Sequence, residues 1–573
     1  MSYLNFKSLY DKDPKIHITD SEALFDKKGL VEELKNLKEK VLVFETYPGV
    51  DEEVLKKDIL LKLKPTHLIH IEDYTKSSKE INEILKYNIT DDRVFGVYSH
   101  HTVDVFYDEE KIKSLREAIH KNDGVTVVYG FGASLIKGFL IHVGLTRWEI
   151  QLRFRRGLGN FKANNENDDI LRKYKRAFFI EWRIADRIKE TYLNEFKYFI
   201  DYNDLNNPLM IKKETYLATL KLLTYRPFRM VPYFDPGVWG GQWMKEVCNL
   251  DENNSNYAWS FDGVPEENSL KLTFGSKTIH MPAQDLVQFY PKELMGSRVH
   301  ARFGKMFPIR FDLLDTMEGG NLSLQVHPLT EYIFDKFGMT YTQDESYYIL
   351  DTKDDGVVYL GFKEGVKKDE FEQALIDANE GKAILDDKKY INKFVAKKHD
   401  HYSIPAGTIH CSGKNTMVLE ISACNYIFTF KLWDWGRLGL DGKPRPVHLE
   451  HGFKNLQYDR TTSWVKENLV NPFVKLNEFS EKTGLHEREF LSTIRYRFKK
   501  PIKIENDGTV MMANLVEGKA ALISSPTNVF KPYEVHYAET FIIPAGVSEF
   551  MIESLDPNEE AMIITAKVRV WVH

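Results

Sequence analysis

The chain is predicted to fold in two parts: an N-terminal parallel α/β domain, then an all-β portion of barrel type with a helical insertion. Three observations predict this. Up to about residue 205, short and continuously apolar strands alternate with helical stretches, the pattern of a parallel sheet covered on both faces. From about residue 235, short strands with turn residues between them take over. A length of 573 residues also exceeds what one hydrophobic core sustains. The expected division is 1–205 for the α/β domain, 206–234 for a linker, 235–498 for a β-barrel domain carrying the insertion, and 499–573 for a C-terminal β domain.

The first strand is Lys40–Glu45, which runs into Thr46-Tyr47-Pro48-Gly49-Val50-Asp51 and a helix from about Glu52 to Leu63. Further strands are expected at His67–Ile71, Gly124–Gly130 and Phe139–Val143, the last followed by a basic helix through Trp148, Arg153, Arg155 and Arg156. Residues 171–202 read as helix, with Trp182, Ile184, Ala185, Ile188 and Tyr192 on one buried face. Asp201–Pro208 is polar and opens the linker. The Gly130–Gly132 turn, the strand at Phe139 and the arginines from Arg147 to Arg156 resemble the nucleoside-kinase type of P-loop domain. A working phosphate loop needs G-x-x-x-x-G-K-[ST], whose amides and lysine cradle phosphates. Thr46–Asp51 has one glycine, no lysine, and acidic residues after it, so nucleotide turnover is not expected. The arginines of Arg153-Phe154-Arg155-Arg156 are expected on a solvated helix face, with anion binding as the alternative.

The all-β part carries Gln325-Val326-His327-Pro328, then Glu345 opening an aromatic-rich strand, then His410 after the turn Pro405-Ala406-Gly407. Alternate residues of a strand share a face, so Gln325 and His327 point at one spot that Glu345 and His410 reach from later strands. Two imidazoles, a carboxylate and an amide oxygen suit zinc or another divalent ion, with a position left for water or substrate. Cys411 faces the other way from His410 and is not counted as a ligand. A charged helical insert over about 364–393 is expected to cover one edge of the pocket. Beyond Lys499, strands are expected at Gly508–Val516, Lys519–Ser524, Thr540–Pro544 and Ala561–Val572, with His536 and His573 as the only histidines.

From about Val238 onward these motifs resemble the class I, cupin-type mannose-6-phosphate isomerases. The marks are Trp239-Gly240-Gly241, Tyr290-Pro291, Phe307-Pro308, the Gln325–Pro328 strand, Glu345 with Tyr347-Tyr348-Ile349, Pro405–His410, and Leu432-Trp433-Asp434-Trp435-Gly436-Arg437. The resemblance implies a bicupin fold, a zinc or other divalent cofactor on Gln325, His327, Glu345 and His410, and interconversion of mannose 6-phosphate and fructose 6-phosphate through an enediol. The family's two lysines and one arginine are replaced here by Asp312, Gln343 and Lys431, while Ser323 is retained. Lys431 is the candidate for polarising or protonating a sugar oxygen, the alternative being a surface lysine. Asp312 is the candidate base, hydroxyl acceptor or extra metal ligand, the alternative being an aspartate paired with Arg310. Ser323, Gln343 and Arg310 are the candidate substrate contacts, and Arg437 or Arg445 are further cations for a phosphate. Two other readings stay open: an isomerase of a non-phosphorylated or different sugar, and a non-catalytic, metal-bound sugar sensor.

Composition narrows the partners. A net charge of -6 with no long Lys/Arg stripe argues against nucleic-acid binding. No apolar run reaches membrane-span or signal-peptide length, so no membrane partner is expected and the protein is read as cytoplasmic. Three cysteines, Cys248, Cys411 and Cys424, make no disulfide framework. The expected partner is a small sugar or sugar phosphate, with the oligomeric state open.

Overall fold

The computed structural model describes residues 2–19, 23–423, 426–440, 442, 445–487 and 489–569. Cys424, His573 and the end of the last expected strand lie outside these. The N-terminal unit is built on β1 (Val41–Thr46), β2 (His67–His70), β3 (Thr126–Gly130), β4 (Phe139–Gly144), β5 (Phe196–Asp201) and β6 (Leu209–Lys212). The strand order is Leu24–Phe25, β6, β5, β4, β1, β3, β2, with β1 to β5 parallel and β6 antiparallel to β5. Leu42, Val43 and Phe44 at its centre are buried on both faces, which is why this strand is apolar without alternation.

Helix α1 (Glu52–Asp58) follows β1, shorter than the sequence predicts because a tight turn at Leu60–Leu63 replaces its last part. Its N-cap is Asp51, whose carboxylate accepts from Val54 N at 3.0 Å, with Glu52 and Glu53 in the first turn. The chain's own carboxylates therefore sit where a helix start would otherwise favour a phosphate.

Helices α2 (Arg147–Arg155), α3 (Ile170–Arg176) and α4 (Trp182–Tyr192) pack on the sheet, a wide helical turn at Ala177–Glu181 joining the last two. The helix expected to run to residue 202 instead stops, and β5 takes its end. Phe196, Tyr198, Phe199 and Ile200 form the continuous apolar run of a buried parallel strand, which local periodicity does not separate from helix. The expected linker likewise contains β6 and helix α5 (Lys213–Leu223), which extend the sheet. The solvated-face expectation fails for Arg153. It is buried, and its guanidinium donates to Gly49 O at 3.0 Å, Tyr202 O at 2.8 Å and Glu149 Oε1 at 3.0 Å. Arg155 makes a two-pronged pair with Asp235 at 2.9 and 2.6 Å. Arg156, paired with Glu149, remains exposed.

The central β unit contains β7 (Tyr233–Asp235), β8 (Trp259–Gly263), β9 (Arg310–Asp315), β10 (Leu324–Val326), β11 (Glu345–Thr352), β12 (Val357–Phe362), β13 (Ile391–Val395), β14 (His401–Ile404), β15 (His410–Ser412), β16 (Thr416–Ser422) and β17 (Phe430–Trp433). A six-stranded antiparallel sheet runs β14-β11-β16-β9-β8-β7 and a five-stranded one β13-β12-β15-β10-β17. The charged insert forms the helix Lys368–Asn379, packed through Phe371 on Phe362. Contrary to expectation, it contributes nothing to the cavity described below.

The C-terminal unit begins earlier than residue 499. Leu491–Phe498 pairs along its whole length with Ala561–Val568, and Val474–Lys475 and Ser480–Thr483 extend the same six-stranded sheet. A four-stranded sheet of Ile502–Glu505, Glu549–Ser554, Ala520–Ser524 and Tyr533–His536 accompanies it. No helix among the described residues is long and apolar enough to cross a membrane.

The α/β unit is tied to the central unit by buried ion pairs. Arg147 and Arg183, the former also held by Asp186 within the α/β unit at 2.5 Å, both grip Glu266, and Lys189 reaches Asp285 at 2.5 Å, where Tyr216 also donates at 2.9 Å. Removing one member of such a group leaves an uncompensated buried charge, a loss of about 3–5 kcal/mol.

Candidate metal centre and pocket

Strand register explains the convergence. Gln325 on β10 lies opposite His410 on β15 and opposite Lys431 on β17, so these three side chains form a row on one face of the five-stranded sheet. In the six-stranded sheet, Glu345, Ser422 and Arg310 form one row, and Tyr347, Glu420, Asp312 and Phe261 form the row two residues on, on the same face. The two faces meet. His327 Nε2 lies 3.0 Å from Glu345 Oε2, His410 Nε2 lies 2.8 Å from Glu345 Oε1, and the Gln325 amide lies 3.2 Å from His410 Nε2.

The histidine tautomers are set from behind. His327 Nδ1 donates to Phe428 O and His410 Nδ1 to Thr408 O, each at 2.8 Å, which turns both Nε2 lone pairs toward the Glu345 carboxylate. Lone pairs facing a carboxylate in a site with 0–1 % exposure are unfavourable without a cation. His327 Nε2 and Glu345 Oε1 are accordingly buried with no hydrogen-bond partner. Turning over the Gln325 amide presents its oxygen to the same point. This N/O donor set fits zinc or a similar divalent ion. Another cluster of possible ligands, Glu52 at the start of α1 with His70 and Glu72 at the end of β2 and just after it, is already paired, Glu52 with His70 at 2.6 Å and Glu72 with Lys162 at 3.4 Å.

Of the other candidate residues, Gln343 donates to Glu345 Oε2 at 3.1 Å and accepts from Phe428 N at 3.0 Å, so it braces the carboxylate. Asp312 pairs with Arg310, Nε to Oδ2 at 2.5 Å, the arrangement first offered as the alternative to a functional role. Its other oxygen has no partner, and burial, opposed by Arg310, lifts its pKa to about 6. The Arg310 guanidinium lies over Phe261 at 4.8 Å. Ser323 donates to Asp434 at 2.6 Å and accepts from Arg445 at 3.3 Å. Lys431 Nζ has no hydrogen bond or ion pair among the described residues, and burial, with Arg445 next in effect, pushes its pKa down to about 7. Arg445 lines the cavity, whereas Arg437 holds Asp434 at 2.8 Å and does not.

Sequence reasoning missed Glu420. It is buried beside Glu345 and Asp312, accepts from Gln343 at 3.4 Å, and is pushed well above the usual carboxylate range by burial and by those two carboxylates. The available signal was a lone acid in the otherwise apolar strand Met417-Val418-Leu419-Glu420-Ile421.

A cavity of about 280 Å³ lies over this centre. Gln325, Gln343, Asp312, Glu420 and Lys431 line one side, whereas His327, Glu345 and His410 lie behind that wall. The other side comes from the α/β unit, through Trp148, Gln151 and Arg155 of α2 and Leu171 and Tyr174 of α3. No sequence signal linked those helices to the pocket.

Residues 26–225 match the model of a domain of unknown function, DUF8485. A probable mannose-6-phosphate isomerase of Bacillus subtilis is 27 % identical over 331 residues, covering 57 % of this chain and 96 % of the relative. A second mannose-6-phosphate isomerase of that organism is 23 % identical over 342 residues, covering 58 % and 97 %. The mannose-6-phosphate isomerase of Streptococcus mutans is 22 % identical over 319 residues, covering 55 % and 92 %. The crystal structure of the Bacillus subtilis mannose 6-phosphate isomerase aligns with a TM-score of 0.47 at 19 % identity, over 60 % of this chain and 99 % of that one.

Proposed function

We propose that this chain is a divalent-metal-dependent aldose-ketose isomerase that interconverts mannose 6-phosphate and fructose 6-phosphate through an enediol. The observation that carries this reading is the convergence of two Nε2 lone pairs, one carboxylate and one amide in a buried spot beside a cavity. The likeness to mannose-6-phosphate isomerases over 331 residues supports the same reading.

In this reading Gln325, His327, Glu345 and His410 are the metal ligands. A divalent ion held there would supply a Lewis acid for the negative charge that develops on the sugar oxygens. Lys431, without a side-chain partner among the described residues and with a pKa of about 7, donates a proton to or withdraws one from a sugar oxygen near neutral pH. Asp312 offers its unpartnered oxygen as the base at carbon, with a pKa near 6 and with Arg310 fixing its other oxygen. Gln343 holds Glu345 in place. Arg445, which Asp434 also holds at 3.0 Å, receives the phosphate with Ser323, since Arg310 is engaged with Asp312 and Lys431 serves the reacting oxygen.

The test is isomerisation of mannose 6-phosphate by metal-loaded protein, with deuterium exchange at C2 in heavy water. The reading expects both to depend on the metal and to vanish in His327→Ala. Absence of exchange after metal loading would instead support a sugar sensor. Asp312 and Glu420 on the cavity wall favour a second reading, in which the sugar is uncharged. A higher kcat/KM for mannose than for mannose 6-phosphate would select it.

A further inference from the structure

The turn after β8 carries two adjacent glutamates with different tasks. Glu266 is gripped by Arg147 and Arg183 and locks the α/β unit to the central unit. Glu267, 3 % exposed, lines the cavity. Its Oε1 accepts from the Tyr174 hydroxyl, and its Oε2 accepts from Gln151 Nε2 at 2.9 Å. Both donors belong to the α/β unit, on α3 and α2.

The turn itself is pinned. Asn268 Oδ1 accepts from Val264 N at 2.6 Å, and its amide nitrogen donates to Val231 O and Phe261 O, each at 2.8 Å. Glu267 makes no ion pair among the described residues. A carboxylate has about four acceptor positions, of which Tyr174 and Gln151 fill two. Leaving the others unmet in a buried place is costly, so this carboxylate, with no ion pair among the described residues, calls for a donor from the ligand.

Resting on the isomerase reading above, we propose that Glu267 reads the substrate. Its carboxylate accepts a hydrogen bond from a non-reacting hydroxyl of the sugar, and Tyr174 and Gln151 are positioning residues that hold it there. The α/β unit then has a defined role: it supplies one wall of the pocket and orients the residue that selects a polyhydroxyl ligand. The charge arrangement agrees. A phosphate is repelled at Glu267 and received at Arg445, so the hydroxyl-bearing part of the sugar lies toward the α/β unit.

The experiment uses the full-length, metal-loaded protein. Binding of the reduced, non-isomerisable hexitol 6-phosphate is followed by calorimetry, and turnover of mannose 6-phosphate by steady-state kinetics. Loss of a hydrogen bond to a charged acceptor predicts that Glu267→Gln weakens hexitol binding by about tenfold or more. KM should rise with kcat within about twofold, and metal content and Tm should hold. Tyr174→Phe should weaken binding by a smaller factor, and should add nothing once Glu267→Gln is present, because the two act as one unit. Hexitol binding by Glu267→Gln within about twofold of wild type overturns the proposal, as does wild-type protein that binds no hexitol. If Glu267→Gln does not fold, Tyr174→Phe and Gln151→Leu carry the test, and unchanged binding in both overturns it. Wild-type protein that binds the hexitol but turns over no sugar refutes the isomerase reading and leaves the test of Glu267 in force.

Discussion

The two β units are both built from paired antiparallel sheets, yet their interiors differ in kind. In the C-terminal unit Phe498, Ile504, Leu515, Phe541, Phe550 and Ile563 form one apolar core. In the central unit the inward face carries Arg310, Asp312, Gln325, His327, Glu345 and Glu420, all buried. Each of these needs a partner, because an unpaired buried charge costs several kcal/mol. The difference teaches where function resides. Polar groups in a barrel interior are kept at a stability cost when they form a site, whereas the core of the C-terminal unit named above is hydrocarbon.

The comparison can be broken most sharply at the ligands. His327→Ala or Glu345→Gln should remove bound metal, seen by elemental analysis, and with it all measurable isomerisation, while far-ultraviolet circular dichroism stays that of the wild type. Lys431→Ala should keep the metal and lower kcat by about 10²–10⁴-fold, the usual worth of a positioned acid or base. Unchanged kcat there would remove its assigned role.

The opposite outcome is expected in the apolar unit. Phe550→Ala should destabilise the fold by about 3–5 kcal/mol through transfer and cavity terms. At temperatures where the variant is folded, its metal content and KM should match the wild type. A metal-poor Phe550→Ala would show that the two units are not energetically separable in the way their interiors indicate.

The smallest expected effect concerns acid. Burial holds His401 and His280 down to about 3, and pushes His142 well below its ordinary value. The unfolded chain takes up protons near pH 6.5 that the native state refuses, so this contribution is complete above about pH 6.5 and declines as pH falls toward 3. In chelator-treated protein these histidines lower the urea midpoint as pH falls from 7 to 5, against the opposite contribution of Asp312 and Glu420, whose pKa values burial raises. Relative to wild type, His401→Asn should lose up to about 1.4 kcal/mol less stability per pH unit over this window. An identical slope in that variant would contradict the assignment.

What was legible in the sequence follows the same division. Gln325, His327, Glu345 and His410 could be read because strand alternation and a Pro-Ala-Gly turn fix them locally, and the structure brings all four together. The first four strands of the α/β unit were visible as continuous apolar runs. By contrast, β5 was hidden because an apolar run of that length fits helix or strand until its neighbours are known. Arg153 was misplaced on a solvated face because its acceptors, Gly49 and Tyr202, are distant in sequence. Glu420 and Glu267 gave no pattern, since their meaning lies in cross-strand and cross-unit neighbours that only the fold supplies.

The central claim is that four side chains of the middle unit hold one divalent ion. The most direct measurement is the metal stoichiometry of full-length protein, stripped with chelator, reloaded with zinc and freed of excess ion. The account predicts about one ion per wild-type chain and almost none in His327→Ala. Folded wild-type protein that retains no ion after reloading would contradict it.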